Sequence, residues 1–549
     1  MEEFDTIIIG SGVGGLAAAI CLAREGQKVL VLEQHYVPGG WSHSFTLNGQ
    51  RFSPGVHYVG LMGEGDSTHE MYRGLGIAND LVFFRMNPKG YERCLINNRY
   101  FNLPAGFENL SNFLFEKFPH EKKNIKKYLA LVRNTNLEIQ LMPKLKGWWQ
   151  QITVPFRTPN FGKYALFPLK KVIGWHIKDP MLKAVLNIQC GDHGLPPSRA
   201  CFPVHCSVMS HYFEGGYYPM GGGGGIIKAM TNGVKKYGGQ VRVKQNVAKI
   251  LVSNKKAYGV QLEDGTEIFS KRVVSNADPT ATYLNLVGRE HLSGKLQKKL
   301  EKTKYSVTSM ILFLTLDMDV TQFGIDSGNI WMVKDEDIDA NFKDLMERDL
   351  TEGDAFPAVF ISCTTLKDPV SFNGRYHNFE VVTYVNYDNV PDFAGETDHH
   401  GVDYDTFKEK VMNKLLNNIE KVIPGARQNI VQAELGTPKT NQFYINSTNG
   451  NVYGTEKTLN QVGPFSYKNK TEIENLFLCG ASTLSHGVGG ATFSGISAAS
   501  AILGCNNDDL LIADENQRLR VYDAEDESAW PEWIHVKRSD KKRTFKEIA

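Results

Sequence analysis

Residues Phe4–Glu33 read FDTIIIGSGVGGLAAAICLAREGQKVLVLE, and this stretch decides the fold. Phe4–Ile9 is a short run rich in β-branched residues, the pattern of a buried parallel strand. Gly10-Ser11-Gly12-Val13-Gly14-Gly15 follows and matches G-x-G-x-x-G. Leu16–Arg24 is Ala-rich and favours helix. Gly26 stops that helix, and Lys28–Leu32 is a second apolar strand closed by Glu33. A strand, a glycine turn, a helix, a strand and an acid within about 30 residues form the pattern that binds a dinucleotide. Gly10 permits the tight turn, Gly12 lets backbone approach a pyrophosphate, and Gly15 lets helix and strand pack closely; Val13 and Gly14 complete the phosphate loop. The helix N-terminus offers unpaired N–H groups and a positive dipole end to the phosphates. Glu33, with Gln34 beside it, faces the ribose hydroxyls.

The sequence beyond Glu33 bears on which dinucleotide is bound. His35–Phe45 reads HYVPGGWSHSF, placing Gly39, Gly40 and Ser42 in a loop where backbone can pass a diphosphate and an isoalloxazine ring. Far along the chain, Leu476–Cys479 is a strand running into Gly480, and Gly487, Gly489, Gly490, Ala491 and Gly495 open an Ala/Ser-rich helix through Leu503. That helix supplies a second N-terminus for the flavin end of the ligand. One fingerprint with a remote closing glycine helix, and no second fingerprint for NAD(P), points to one embedded, non-covalent FAD. Electrons then come from external NAD(P)H or another donor.

Composition narrows the class. The chain has 549 residues, 42% hydrophobic and 22% charged, with a net charge of +1. These values exclude a disordered, collagenous or coiled-coil protein and give no global basic excess for nucleic acid. The 52 glycines cluster at 10–15, 215–225 and 487–495, where backbone must turn sharply or approach something closely. Eight scattered cysteines form no framework, which predicts reduced thiols and a cytoplasmic setting. No apolar run reaches 18 residues, and the acidic N-terminus lacks the basic region of a signal peptide.

Strands are predicted at 240–252 and 256–262 around an Asn254-Lys255 hairpin, and at 272–275; Val247 is placed to meet adenine through its backbone. Longer apolar strands are predicted at 309–317, 358–364 and 379–387, with an amphipathic helix over 405–423. The fold class is α/β: a Rossmann-like FAD-binding domain interleaved with an α+β substrate domain. The FAD domain takes 1–70, 220–295 and 470–505; the substrate domain takes 71–219 and 296–469. Residues 506–549 are a charged C-terminal extension around Trp530 and Trp533. The oligomeric state is not legible.

From Ile139 to Lys178 there is no Asp or Glu, while Lys144, Lys146, Arg157, Lys163, Lys170, Lys171 and Lys178 interleave with Trp and Phe. The rest of the chain is net acidic. Such a belt suits an anionic membrane surface, so 139–178 is predicted to dock peripherally on a membrane. Cys190-x-x-His193 and Cys201-x3-His205-Cys206-x4-His211 have zinc-like spacing, but without a Cys-x-x-Cys pair no metal is expected.

The chain resembles the retinol saturase and carotenoid isomerase branch of the phytoene desaturase-like flavoproteins, two-domain proteins of amine oxidase type. The resemblance rests on VLVLEQHYVPGGWSHSF and FSPGVHYVG, on EKFPHEKKNIKKYLALV (116–132) and HYFEGGYYPMGGGG (211–224), and on VVSNADP (273–279) and GTPKTNQFY (436–444). It implies non-covalent FAD and a polyene isoprenoid lipid drawn from the bilayer. The implied reaction is saturation of a double bond, as by an all-trans-retinol 13,14-reductase, with desaturation or cis-trans isomerisation of a carotenoid as the alternative. A flavin-free escort of prenylated protein is a third class, against which the intact glycine turn argues. Flavin can exchange a hydride with an alkene, but the protein must supply a proton. Candidate donors are His57 and Tyr58 in GVHYVG, and His211, Tyr212 and Glu214 ahead of the glycine run.

Overall fold

The structure is a computed structural model describing residues 3–142, 153–154, 156–391, 393, 401–512 and 514–548. Strand β1 (Glu3–Ile9), helix α1 (Val13–Arg24) and strand β2 (Val29–Leu32) realise the opening unit, with every residue of β2 buried. The two strands are parallel, Ile7 beside Leu30, and β1 lies parallel to the C-terminal half of strand Glu267–Ser275 on its other edge. Around this centre the sheet runs Val247–Ser253, Lys256–Leu262, Glu267–Ser275, β1, β2, Gln240–Arg242, and strand Leu476–Leu478 joins Glu267–Ser275. Residues Val13–Ala23 of α1 are all buried. The helix packs between helix Gly223–Lys236 and the closing helix Gly487–Leu503.

The expected strand over 240–252 is broken into Gln240–Arg242 and Val247–Ser253. The intervening residues are captured by the end of β2: Lys244 N–H donates to His35 O (3.0 Å) and Gln245 N–H to Glu33 O (2.8 Å). Asn254 and Lys255 form the expected hairpin, both at positive φ (48° and 59°), as a type I′ turn requires.

A second seven-stranded sheet runs Ile430–Gly436, Thr308–Leu316, His377–Val385, Ala358–Cys363, Asn329–Val333, Glu92–Ile96, Arg99–Leu103. Its centre contains the three predicted long strands, and all nine residues of Thr308–Leu316 are buried. One face packs on helix Val402–Glu420 through Phe407, Val411, Leu415 and Ile419. The other face meets a helical layer built on Lys122–Leu141 and Phe202–His211. The charged extension also folds onto the body: Arg520–Asp523 pairs parallel with Val82–Arg85, and Trp530 is buried, its Nε1 donating to Asp523 O (2.6 Å).

Candidate functional site

Ile9 and Leu32, the last residues of β1 and β2, open onto a cleft at the carboxyl ends of the parallel strands. On the β2 side the cleft is lined by Glu33, Gln34, Asn246 and Val247. Gly10, Gly12, Val13 and Gly14 line it at the start of α1, opposite Gly39, Gly40 and Ser42. No side chain caps α1, which leaves its first N–H groups for an anion. A Cβ on Gly40 would stand 3.5 Å from Gly12 Cα, so the two backbones form a narrow cradle. These features fit a dinucleotide diphosphate. On the side of the closing helix, Gly480, Gly487 and Ala491 line the cleft with Tyr453. Gly489 and Gly490 are not on that lining; their Cβ positions point toward Thr68 and Ser485.

Glu33 does more than the ribose role read from its position. It is buried, and its Oε2 accepts from Ser11 N–H (2.9 Å) and Ser11 Oγ–H (2.5 Å) while Oε1 accepts from His35 N–H (3.0 Å). Ser11 Oγ in turn accepts from Gly39 N–H (2.9 Å), so one carboxylate ties the glycine turn to the 39–40 loop. Each carboxylate oxygen has about two acceptor sites, leaving capacity on Oε1 for a ribose hydroxyl. Glu33→Ala is expected to weaken FAD by about 1.5–3 kcal/mol, roughly 10- to 150-fold in Kd. Flavin dissociation followed by fluorescence checks this, and an unchanged Kd would detach the network from the ligand.

Two residues of this cleft escaped the sequence reading. Asn276, in the VVSNADP segment, stands where the halves of the cleft meet: its side chain is the first atom group met by Cβ atoms built on Gly10, Gly12, Gly14 and Gly480. Its N–H donates to Ile9 O (2.9 Å), fixing it at the end of β1. Lys457 is buried and donates to Tyr453 O, Thr455 O and Ala481 O (3.2, 2.7 and 2.8 Å), joining two segments of the cleft wall. Burial pushes its ammonium down to about 7.

Beyond Tyr453, which lines the cleft, rings from both halves of the chain pack together. Tyr453 Oη is 2.9 Å from Tyr384 Oη, and the Tyr453 ring lies 5.1 Å from that of His486. Tyr58 stacks on Tyr212 at 4.1 Å, while Phe360 contacts His57 at 5.1 Å and Trp331 at 4.6 Å. Of the predicted proton donors, His57, Tyr58 and Tyr212 therefore converge. His211 uses Nε2 to accept Gly60 N–H (2.9 Å), and burial pushes its imidazole down to about 4, so it is a neutral acceptor bracing the backbone. Glu214 is exposed to solvent.

Charged groups missed in the sequence lie behind these rings. His57 Nδ1 is 3.0 Å from Glu380 Oε2, and Glu380 Oε1 accepts from Ser53 N–H (2.5 Å). Lys367, wholly buried, donates to His57 O (2.8 Å), Ser362 Oγ (2.7 Å) and Asn329 Oδ1. Burial pushes its ammonium down to about 7, against the pull of Glu380 and Glu92. Glu92 is also wholly buried; burial, then the neighbouring Asp192, push its carboxyl up to about 8.

Cys190, His193 and His205 come within 4.8 Å of one another. The histidines form a hydrogen-bonded chain, His193 Nε2 to His205 Nδ1 (3.3 Å) and His205 Nε2 to Leu186 O (3.1 Å), and we read them as core histidines. In the basic belt, Lys144, Lys146, Trp148 and Trp149 lie outside the described residues. Lys170 is paired with Asp339 (3.0 Å), and Lys171 lies over the rings of Phe167 and Trp175. Phe156 (84%), Leu166 (78%) and Trp175 (52%) are exposed apolar side chains of the same segment. Among the described residues no helix is long and apolar enough to cross a membrane.

The model of the flavin containing amine oxidoreductases matches residues 13–503. An all-trans-retinol 13,14-reductase of Danio rerio is 28% identical, covering 92% of this chain and 87% of its own length. A chloroplastic prolycopene isomerase 2 of an Oncidium hybrid cultivar is 28% identical over 91% of this chain and 83% of its own. Among solved structures, the cyclohexylamine oxidase of Brevibacterium oxydans superposes with a TM-score of 0.58 at 15% identity, covering 92% of this chain and 99% of that one.

Proposed function

Because the chain belongs to the flavin containing amine oxidoreductase family, we propose that it is an FAD-dependent oxidoreductase that adds hydrogen across one carbon-carbon double bond of a polyene isoprenoid lipid. The observation carrying this reading is the end-to-end match, about nine-tenths of the chain, to relatives named for retinol reduction and prolycopene isomerisation. Both named compounds are conjugated polyenes. Isomerisation or desaturation of a carotenoid is the second reading, favoured by the isomerase match. Bound FAD supplies hydride transfer in either direction. The glycine turn, Glu33 and the 39–40 loop hold it, and the rings packed around Tyr453 and Tyr58 adjoin that cleft, where they would shield a conjugated chain from water. With one dinucleotide fingerprint in the sequence, reducing equivalents come from external NAD(P)H or another donor.

The test is anaerobic incubation of photoreduced enzyme with retinoid and carotenoid polyenes, read as product mass and flavin reoxidation. Saturation gives a product two daltons heavier with reoxidised flavin. Isomerisation gives unchanged mass with a new geometric isomer, and desaturation by oxidised enzyme gives a two-dalton loss. No change with any polyene overturns the substrate class.

We further propose a cytoplasmic, peripherally membrane-bound protein docking through 139–178, supported by the exposed Phe156, Leu166 and Trp175 among the belt cations. Co-sedimentation with liposomes is expected to require anionic lipid and to fall with salt, which screens exposed charges beyond about 8 Å at physiological ionic strength. Reversing Lys144, Lys146, Lys170 and Lys171 to Glu should release the protein. Undiminished sedimentation of that variant would reduce the belt to an ordinary solvated face.

A further inference from the structure

We propose that Asp192 is the acid that gives a proton to a substrate carbon, with Tyr58 holding its carboxyl and Glu92 behind them as a proton reserve. The assignment rests on the polyene reading above.

Position comes first. Asp192 lies in the turn Ile188–His193, and its backbone carbonyl accepts from His486 Nε2–H at 2.9 Å. His486 immediately precedes the closing helix, whose Gly487, Val488 and Ala491 line the FAD cleft. This bond ties Asp192 to the segment that opens the closing helix, and Tyr453, which lines the cleft, lies beside it. The carboxyl Oδ2 accepts Tyr58 Oη–H at 2.7 Å, while Oδ1 has no hydrogen-bond partner among the described residues. Asp192 is half-buried, whereas Glu92 and Glu380 are wholly buried. Among the predicted donors only Tyr58 touches it.

The electrostatics agree. Facing Asp192 are the Tyr58 hydroxyl, the Glu92 carboxyl, the phenols of Tyr91, Tyr212, Tyr384 and Tyr453, and the Cys190 thiol. His486 and His193, beside it, are driven to the neutral form by burial. Of the two buried ammonium groups nearby, Lys367 acts on Glu92 and Glu380, and Lys457 acts on His486. Burial pushes Asp192 up to about 7 from its ordinary 3.8. Glu92 Oε2 is buried without a partner, as suits a carboxyl that keeps its proton. Two carboxyls that interact this closely titrate as a pair and share their protons.

The step balances. The O–H bond of Asp192 breaks and a C–H bond forms on one alkene carbon, using the π electron pair. The other carbon receives a hydrogen with two electrons from reduced flavin, so the alkene gains two electrons and the flavin loses two. Asp192 is left as a carboxylate stabilised by the Tyr58 O–H, and the proton returns from Glu92 through that phenol. Because the acid form is required, the rate falls as pH rises through about 7.

The test pairs infrared difference titration of the FAD-loaded protein with the polyene assay, on wild type, Asp192→Asn, Tyr58→Phe and Glu92→Gln. Wild type is expected to show a carboxylic acid C=O band lost with a midpoint near 7. Asp192→Asn removes that band, and Tyr58→Phe moves its midpoint upward by withdrawing a hydrogen bond from the carboxylate. Polyene reduction by photoreduced Asp192→Asn should drop by about 100-fold or more, the usual worth of a general acid. Glu92→Gln is expected to remove only the band of Glu92 itself, which titrates near 8; a band titrating near 7 that survives in Asp192→Asn, or polyene reduction by that variant within about threefold of wild type, overturns the proposal. If wild type transforms no polyene, the substrate reading fails, and the infrared titration still decides whether Asp192 holds the proton.

Discussion

Gly495→Ala is expected to emerge from purification colourless and markedly less stable. A Cβ on Gly495 of the closing helix would sit 1.9 Å from the carbonyl oxygen of Gly14 and 3.1 Å from Ala17 Cβ. The obstructing atoms are backbone of α1, itself buried on all sides, so no side chain can swing away. The two helices would have to separate by more than 1 Å, and overpacking of this kind costs about 1–3 kcal/mol, more where backbone must move. Gly14 lies within the phosphate loop, so the same displacement opens the cradle between Gly12 and Gly40. Gly12→Ala separates the two effects. Its Cβ would meet only the Asn276 side-chain nitrogen, at 2.7 Å, which can shift. That variant should fold normally yet bind FAD poorly, because the methyl stands beside Asn276 on the cleft lining. Flavin absorbance and thermal melting of both variants check this. A yellow Gly495→Ala protein melting with wild type would show that the helices tolerate separation.

Lys367→Met is expected to lose about 3–5 kcal/mol of folding stability, the cost of leaving three buried oxygens without the donor that serves them. The ammonium is the buried cation acting on Glu92 and Glu380, both wholly buried, and it satisfies His57 O, Asn329 Oδ1 and Ser362 Oγ. Methionine matches its length and leaves three oxygens and two carboxyls without that partner. Chemical denaturation at neutral pH measures the loss. Combining Lys367→Met with Glu380→Gln should recover part of it, since the second change removes a stranded charge. A denaturation midpoint equal to wild type would mean that the lysine is replaceable.

How far the chain could be read depended on how local each feature is. The opening strand, turn, helix and strand were legible because each carries its own periodicity or punctuation and the pattern closes within about 30 residues. The long strands at 308–316, 358–363 and 377–385 were legible because burial on both faces leaves near-continuous apolar runs. The strand expected over 240–252 was not, because the hydrogen bonds that break it come from residues 33 and 35. The segment 506–549 read as a charged extension, yet Arg520–Asp523 finds a partner strand more than 400 residues away.

The sequence by itself determined the dinucleotide cradle, the residues that line its phosphate loop, the two interleaved architectures and the flavoprotein class, because those features are built from neighbours in the chain. Tertiary structure decided which polar residues do chemistry. It brought Asp192 to Tyr58, Glu92 to Lys367, and His57 to Glu380, and it set Asn276 against four glycines. It also turned His211 into a backbone brace and left Glu214 in solvent. The physical reason is that the protonation state and role of a carboxyl, an imidazole or an ammonium follow from its desolvation and its partners. Both are properties of the packed interior, contributed by segments hundreds of residues apart.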